Sequence, residues 1–374
     1  MNVIEKLATY EDQISPGVSA CVGCNVELTL RTCMKVLGPN TIFAVPPGCM
    51  GGVGVVGWDK ESGAKTPVFF PLLDNVASML AGIKMHYERI GRKVNVVAFA
   101  GVGASVDAGM QCLSGAAERG DKIIYICYDN EGYMNTGYQR SGSTTKGAWT
   151  STTPVINGHG GKKQNKKDFP MIMAMHDVPY MATMSPAYIP DMVRKLEKAM
   201  AVDNGLVYLH VYNPCVTGWG CKSDESIEVA RLAVETNFAP LYEVENGVFK
   251  MSVDVKNPKP VKEFVTRFKK FRHLTEQDIE EVARRMLKTV ADRMETMDIH
   301  LDASDEAVKE LAKEGFDPKY GARPLRRAIQ STIADQAAGM LLDGTLRQGD
   351  VVTAEVHDGK IVLTKMRERG TITP

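Results

Sequence analysis

Two cysteines stand three residues apart in Ser-Ala-Cys21-Val-Gly-Cys24-Asn, just after a Pro-Gly turn and just before a stretch with helical spacing. Such a pair serves zinc, iron–sulfur clusters and redox disulfides alike, so its partners decide its chemistry. Cys49 lies in Val-Pro-Pro-Gly-Cys-Met-Gly-Gly, a turn able to aim a thiolate at a point, and Cys215 lies in Asn-Pro-Cys-Val-Thr-Gly-Trp-Gly-Cys, with Cys221 close behind. A structural zinc site more often joins two short-spaced pairs, whereas here the third and fourth cysteines arrive singly and far apart. The spacing favours an iron–sulfur cluster and leaves zinc, or no metal site, open. Thioredoxin-like chemistry fits less well, because the pair does not follow the strand of a βαβ unit. Of the eight cysteines, Cys33 has no motif, while Cys112 in a helical segment and Cys127 in an apolar strand read as buried small hydrophobes.

The elements that must position these residues become regular from about residue 92. KVNVVAFAG reads as a buried strand, SVDAGMQCLSGAAERG as a helix closed by Gly120, and DKIIYICYDN as a second buried strand. PYMATMS and LVYLHVYNP then bracket the helix IPDMVRKLEKAM. Strands that are apolar throughout and alternate with helices predict an α/β fold, a doubly wound and mostly parallel sheet. TTPVINGHGGKKQNKKDFP reads as a long loop, either a solvated connection or a lid over a ligand. The rhythm ends near residue 251, giving a first domain over 1–250, a linker over 251–275 and a small module over 276–374.

The chain has 374 residues, 44% of them apolar, with 45 basic residues balanced by 45 acidic ones. That length predicts one large domain plus a smaller one, and the charge balance gives no reason to expect nucleic acid or a membrane surface as partner. The first residues, MNVIEKLATYEDQ, carry charge where a signal peptide carries an apolar run. The expectation is a soluble, cytoplasmic protein. The seven histidines show no metal-ligand spacing and read as packed or solvated.

CVGCNVELTLR, PPGCMGG, LSGAAERGDKIIYICYDNEGYMNTGYQRSGSTTKGAWTSTTP, PMIMAMHDVPYMATMSPAY and NPCVTGW together resemble the β subunit of pyruvate:ferredoxin oxidoreductase, from near the start to about residue 275. The resemblance implies a fold of the thiamine-diphosphate-binding type and oxidative decarboxylation of a 2-oxo acid, pyruvate first. It also implies transfer of electrons through a [4Fe-4S] cluster to ferredoxin and of the acyl group to coenzyme A. The cluster ligands carry over as Cys21, Cys24, Cys49 and Cys215, with Cys221 the rival for the last position. Thiamine diphosphate is anchored through Mg2+, which demands hard oxygen ligands. The resemblance assigns these to the Asn130 side chain and the Gly132 carbonyl, with Asn135 and Thr136 lining the site and Asn135 nearest the chemistry. Expected partners are an α subunit that supplies the carboxylate activating the cofactor, a ferredoxin-like subunit and ferredoxin itself.

One element departs from the family. Where it has Gly-Asp-Gly, this chain reads Gly101-Val102-Gly103. Valine cannot ligate a metal, and Asp107 has its own counterpart in the family, where it reads as a structural residue. Either the glycines Gly101 and Gly103 still cradle phosphate above a weakly held metal, or the subunit is cofactor-deficient.

From about residue 275 the chain changes character. DIEEVARRMLKTVADRM sets Ile279, Val282, Met286, Val290 and Met294 on one helix face; SDEAVKELAKEG begins at an expected N-cap, Ser304, and stops at Gly315. Pro324 opens a third helix carrying Leu325, Ile329, Ile333, Ala337 and Leu341, and DVVTAEV and KIVLTK flank Asp358-Gly359 as a hairpin. This stretch resembles the small C-terminal subdomain of Clp-type AAA+ unfoldases. There the arginine of Gly-Ala-Arg, here Arg323, reaches nucleotide phosphates, but the chain has no P-loop and Arg323 reads as structural. The join falls in FRHLTEQDIEE, which resembles both families, as in a natural fusion or a chimera. The competing reading of the whole is a non-catalytic assembly protein that self-associates through this module and keeps a degenerate thiamine site.

Overall fold

Eight strands in the first part of the chain are β1 (Thr41–Ala44), β2 (Val68–Phe69), β3 (Asn95–Gly101), β4 (Ile124–Asp129), β5 (Tyr180–Met184), β6 (Val207–Tyr212), β7 (Tyr242–Glu245) and β8 (Val248–Met251). They form one sheet in the order β8-β7-β5-β6-β4-β3-β1-β2. β1 to β6 are parallel, in register Val97↔Ile124 between β3 and β4 and Val207↔Ile124 between β6 and β4. β7 and β8 add antiparallel at one edge. The computed structural model describes residues 2–52, 63–156, 159–273, 300–308, 333, 336–337, 340, 345–346, 350–357 and 360–366.

Alternation along the strands divides the core in two. Phe43, Val97, Phe99, Ile126 and Leu209 pack on one side with helices α1 (Asn25–Leu37) and α4 (Ile189–Ala201). Ala44, Ala98, Tyr125, Met181 and Tyr208 pack on the other with α2 (Val76–Arg89) and α3 (Met110–Glu118). Both faces are covered, which is why the strands read as continuous apolar runs. The doubly wound, mostly parallel α/β sheet is therefore as the sequence predicts. Cys127 is buried in β4, and Cys112 is only partly buried on α3.

Chain direction turns within the sheet, since β1 leads outward to β2 while β3 leads to β4 on the other side. In open α/β sheets ligands bind at the carboxyl ends of strands beside such reversals. β1 ends into Pro46-Pro47-Gly48-Cys49, β3 into Val102-Gly103, β4 into Asn130-Glu131-Gly132, and β6 into Asn213-Pro214-Cys215.

The chain divides into two compact units, Met1–Asn257 with Arg267–Arg272, and Pro258–Thr266 with His273–Pro374. In the second, β9 (His300–Ala303) pairs parallel with β10 (Val351–His357), which pairs antiparallel with β11 (Lys360–Met366), His357 opposite Lys360. The strands expected around Asp358-Gly359 are thus present. Ser304 caps as expected, its Oγ accepting from the Ala307 N–H at 3.1 Å. Ile333 and Ala337 are buried with Val308, Val352 and Leu363. The helix expected over 278–294, Gly315, Arg323 and Pro324 lie outside the described residues. No helix among the described residues is long and apolar enough to cross a membrane.

Candidate functional site

Cys21, Cys24, Cys49 and Cys215 line one cavity of about 570 Å3, together with Asn130 and Asn135. Gly101, Gly103, Gly132, Thr136 and the rival Cys221 are not part of its wall. Cys21 is exposed at its mouth and the other three cysteines are partly buried.

Local backbone chemistry aims each sulfur. Gly23 takes φ +71°, and a Cβ there would sit 2.3 Å from the Ser223 carbonyl oxygen, so the turn between the first two cysteines requires glycine. Cys24 stands at the N-cap of α1. Cys215 caps the short helix α5 (Val216–Trp219), its Sγ accepting from the Gly218 N–H at 3.2 Å. Three hydrogen bonds tie these elements together across the chain. Asn25 donates to the Pro214 and Ser226 carbonyls at 3.1 and 3.2 Å, and Thr29 donates to Asn213 Oδ1 at 2.6 Å. From the third side, Asn130 donates through Nδ2 to Cys49 Sγ at 3.7 Å.

Burial pushes the Cys49 thiol up to about 12, with the sulfurs of Cys215, Cys24 and Cys21 adding to the rise. It pushes Cys215 up to about 11, against the Gly218 N–H. Burial thus favours the thiol form of Cys49 and Cys215, whose protons a metal centre would have to displace. Among the described residues no three His, Cys, Asp or Glu side chains converge as one metal ion requires.

The β4 loop rests on buried charges that no motif disclosed. Asp129 accepts from Lys166 at 2.7 Å, from His210 Nε2 at 3.1 Å and from the Glu131 N–H at 2.8 Å. Burial alone would raise its carboxyl, but Lys166 and His210 hold it well below the usual carboxylate range. Glu131 has φ +67°, uncommon for a residue with a side chain, and pairs with Lys270 where both side chains are fully buried. Tyr212 donates to it at 2.8 Å, and Thr145 donates as well. Lys270 also stacks on the Trp219 ring, 4.2 Å from its centroid, and Trp219 Nε1 donates to the Asn130 carbonyl at 2.9 Å. Trp219 lies within the Asn-Pro-Cys-Val-Thr-Gly-Trp motif; Lys270 is marked in sequence only by the aromatics of Phe-Lys-Lys-Phe around it.

At the altered turn, Val102 is 2% exposed and packs in the apolar core. Asp107 is engaged, as expected: it accepts from Tyr133 at 2.8 Å, Ser141 at 2.5 Å, the Gly142 N–H at 3.0 Å and Lys167 at 3.3 Å. Thr136 turns to Gln139, donating at 2.5 Å. Asn130 and Gly132 follow β4 as the sequence places them, while the turn after β3 offers Val102 and no carboxylate. Four cysteines thus share one cavity wall, and the oxygen donors expected for a metal are incomplete at Val102.

Loops gathered at the carboxyl ends of a parallel sheet, with Asn130 and Gly132 following β4, make this an α/β protein with a cysteine-lined pocket at that edge. Residues 58–211 match the thiamine pyrophosphate enzyme, C-terminal TPP binding domain, and residues 274–354 match the C-terminal, D2-small domain, of ClpB protein. The chain is 47% identical over 291 residues to the NADH-dependent phenylglyoxylate dehydrogenase subunit beta of Aromatoleum evansii, covering 77% of this chain and 65% of that protein. It is 44% identical over 268 residues to pyruvate synthase subunit PorB of Methanothermobacter thermautotrophicus, covering 71% of this chain and 92% of that one. With ketoisovalerate oxidoreductase subunit VorB of Pyrococcus furiosus the identity is 39% over 287 residues, covering 75% and 91%. The chain belongs to the family of β subunits of 2-oxoacid:ferredoxin oxidoreductases.

Proposed function

We propose that this chain is the thiamine- and cluster-bearing β subunit of an enzyme that oxidatively decarboxylates pyruvate, passing electrons to ferredoxin and the acyl group to coenzyme A. The observation that carries the reading is the meeting of Cys21, Cys24, Cys49 and Cys215 in one cavity with Asn130 and Asn135. A [4Fe-4S] cluster takes its thiolates at four separate corners, which four cysteines on three segments around one cavity can supply. Thiamine diphosphate supplies the nucleophile for the 2-oxo acid and the cluster accepts electrons singly. This chain's own part is to hold the cluster through the cysteines and the metal through Asn130 Oδ1 and the Gly132 carbonyl, with Gly101, Gly103 and Thr136 around the cofactor. Asn135, at the cavity wall, would face substrate. That wall contains no carboxylate among the described residues, which supports an α subunit as the source of the activating acid. Cys21, exposed at the mouth, marks the side from which electrons leave to a ferredoxin-like subunit.

Val102 favours a second reading, a cofactor-deficient assembly protein. The deciding experiment is anaerobic purification of the full chain with its α partner, with iron, sulfide and thiamine measured and pyruvate compared with phenylglyoxylate and ketoisovalerate as substrates. About four irons per chain are expected, lost on serine substitution at Cys21, Cys24, Cys49 or Cys215 and kept in Cys221→Ser. Iron that survives those four and disappears with Cys221→Ser defeats the ligand set; full iron without thiamine or turnover selects the second reading. Turnover of phenylglyoxylate alone would replace pyruvate as the substrate.

A further inference from the structure

We propose that Asn130 sets the reduction potential of the cluster by donating an N–H···S hydrogen bond to Cys49, and that Trp219 is a positioning residue acting through it; the inference rests on the cluster reading above. The amide nitrogen lies 3.7 Å from Cys49 Sγ, on a side chain that is buried. A sulfur acceptor requires the nitrogen end of the amide to face it, which leaves Oδ1 for the metal. Donors to ligand sulfur stabilise the reduced cluster, which carries the additional negative charge, and so raise its potential. The N–H groups of Gly218 on Cys215 and of Val26 and Glu27 on Cys24 belong to the backbone and are unaffected by side-chain substitution. Asn130 is thus a side-chain control on the electron acceptor and lies on the loop that also serves the cofactor.

The donor is held in place from behind. The Asn130 carbonyl accepts from Trp219 Nε1 at 2.9 Å, and the indole is backed by Lys270. Lys270 is paired in turn with Glu131, the next residue after Asn130, whose left-handed backbone is further fixed by Thr144 Oγ1 donating to its carbonyl at 2.5 Å. A strained, over-determined backbone next to a functional group is what preorganisation requires.

The test is an anaerobic redox titration of the full chain, reconstituted with iron and sulfide and read by electron paramagnetic resonance without thiamine. In Asn130→Ala the reduced-to-oxidised ratio at a fixed poise should fall several-fold; a tenfold fall corresponds to about 59 mV for one electron. Trp219→Phe, which keeps the ring and loses the N–H, should give a smaller fall in the same direction, and adding it to Asn130→Ala should give none. If Asn130→Ala assembles no cluster, Trp219→Phe alone decides. An unchanged or raised ratio in Asn130→Ala at full iron content overturns the inference, because the amide is then not the determinant. So does a Trp219→Phe chain that titrates as the unaltered one, or a double variant that falls further. Absence of iron from the unaltered chain removes the cluster reading itself, and this inference with it.

Discussion

Val102 stands at the carboxyl end of β3, the position from which the family turn presents an aspartate, and its side chain is in the apolar core. The carboxylates of the flanking segments are engaged elsewhere: Asp107 carries Tyr133, Ser141, Gly142 and Lys167, and Asp129 carries Lys166 and His210. Loss of a partner one bond removed from a metal commonly costs roughly ten- to a hundredfold in affinity, so a missing direct ligand costs at least that much. Val102→Asp should therefore tighten Mg2+-dependent thiamine diphosphate binding by at least about tenfold and raise activity with the α partner. The same change puts a carboxylate into apolar surroundings. The melting temperature should fall without cofactor and recover when Mg2+ and thiamine diphosphate are added together. Equal affinity in both proteins, with no recovery on heating, would show that the turn no longer faces the metal.

At the scale of elements, the sheet and its helices are legible in the sequence because their apolar runs report burial on both faces. That Cys21, Cys24, Cys49 and Cys215 share one cavity is legible because Pro-Gly and Gly-Trp turns accompany them. The loop TTPVINGHGGKKQNKKDFP is not. It contains a small ladder, Val155–Ile156 against His159–Gly160, and three of its lysines bond to groups outside the loop. Lys162 is 1% exposed and donates to the Gly142 and Thr144 carbonyls, Lys166 reaches Asp129, and Lys167 reaches the Val106 carbonyl and Asp107. Clustered lysines read as a solvated surface unless their partners are known, and these partners lie on loops distant in sequence. The β7–β8 edge escapes the pattern where the strand–helix rhythm stops, since Val248, Phe249 and Met251 on the outer strand are exposed. Lys270 gives the measurable consequence. Removing one member of a buried ion pair leaves an uncompensated charge at a cost of about 3–5 kcal/mol, whereas removing both together often costs little. Lys270→Met should lower stability by about that amount, as read by urea unfolding. Lys270→Met with Glu131→Gln should recover most of it. Equal loss in the double variant would mean that packing of the lysine stem, and not its charge, is what matters.

For the whole molecule, the division into two units predicts separable behaviour. A chain ending at His273 should keep iron and thiamine and lose self-association, measured by metal analysis and light scattering. The second unit, with its own small core of Ala307, Val308, Ile333, Val352 and Leu363, should show no ATPase activity. A chain ending at Asn257 should fare worse than one ending at His273, because it lacks Arg267–Arg272 and with them Lys270. Loss of iron from the longer piece would mean that the two parts depend on one another. Lys270 also imposes an order on synthesis. Every proposed sulfur ligand has left the ribosome once residue 215 is out, yet the cation that neutralises Glu131 and backs Trp219 arrives later. Until it does, the pocket has its thiols without the bracket that holds Asn130 against Cys49. The finished geometry of the pocket is therefore complete only after translation has passed Lys270.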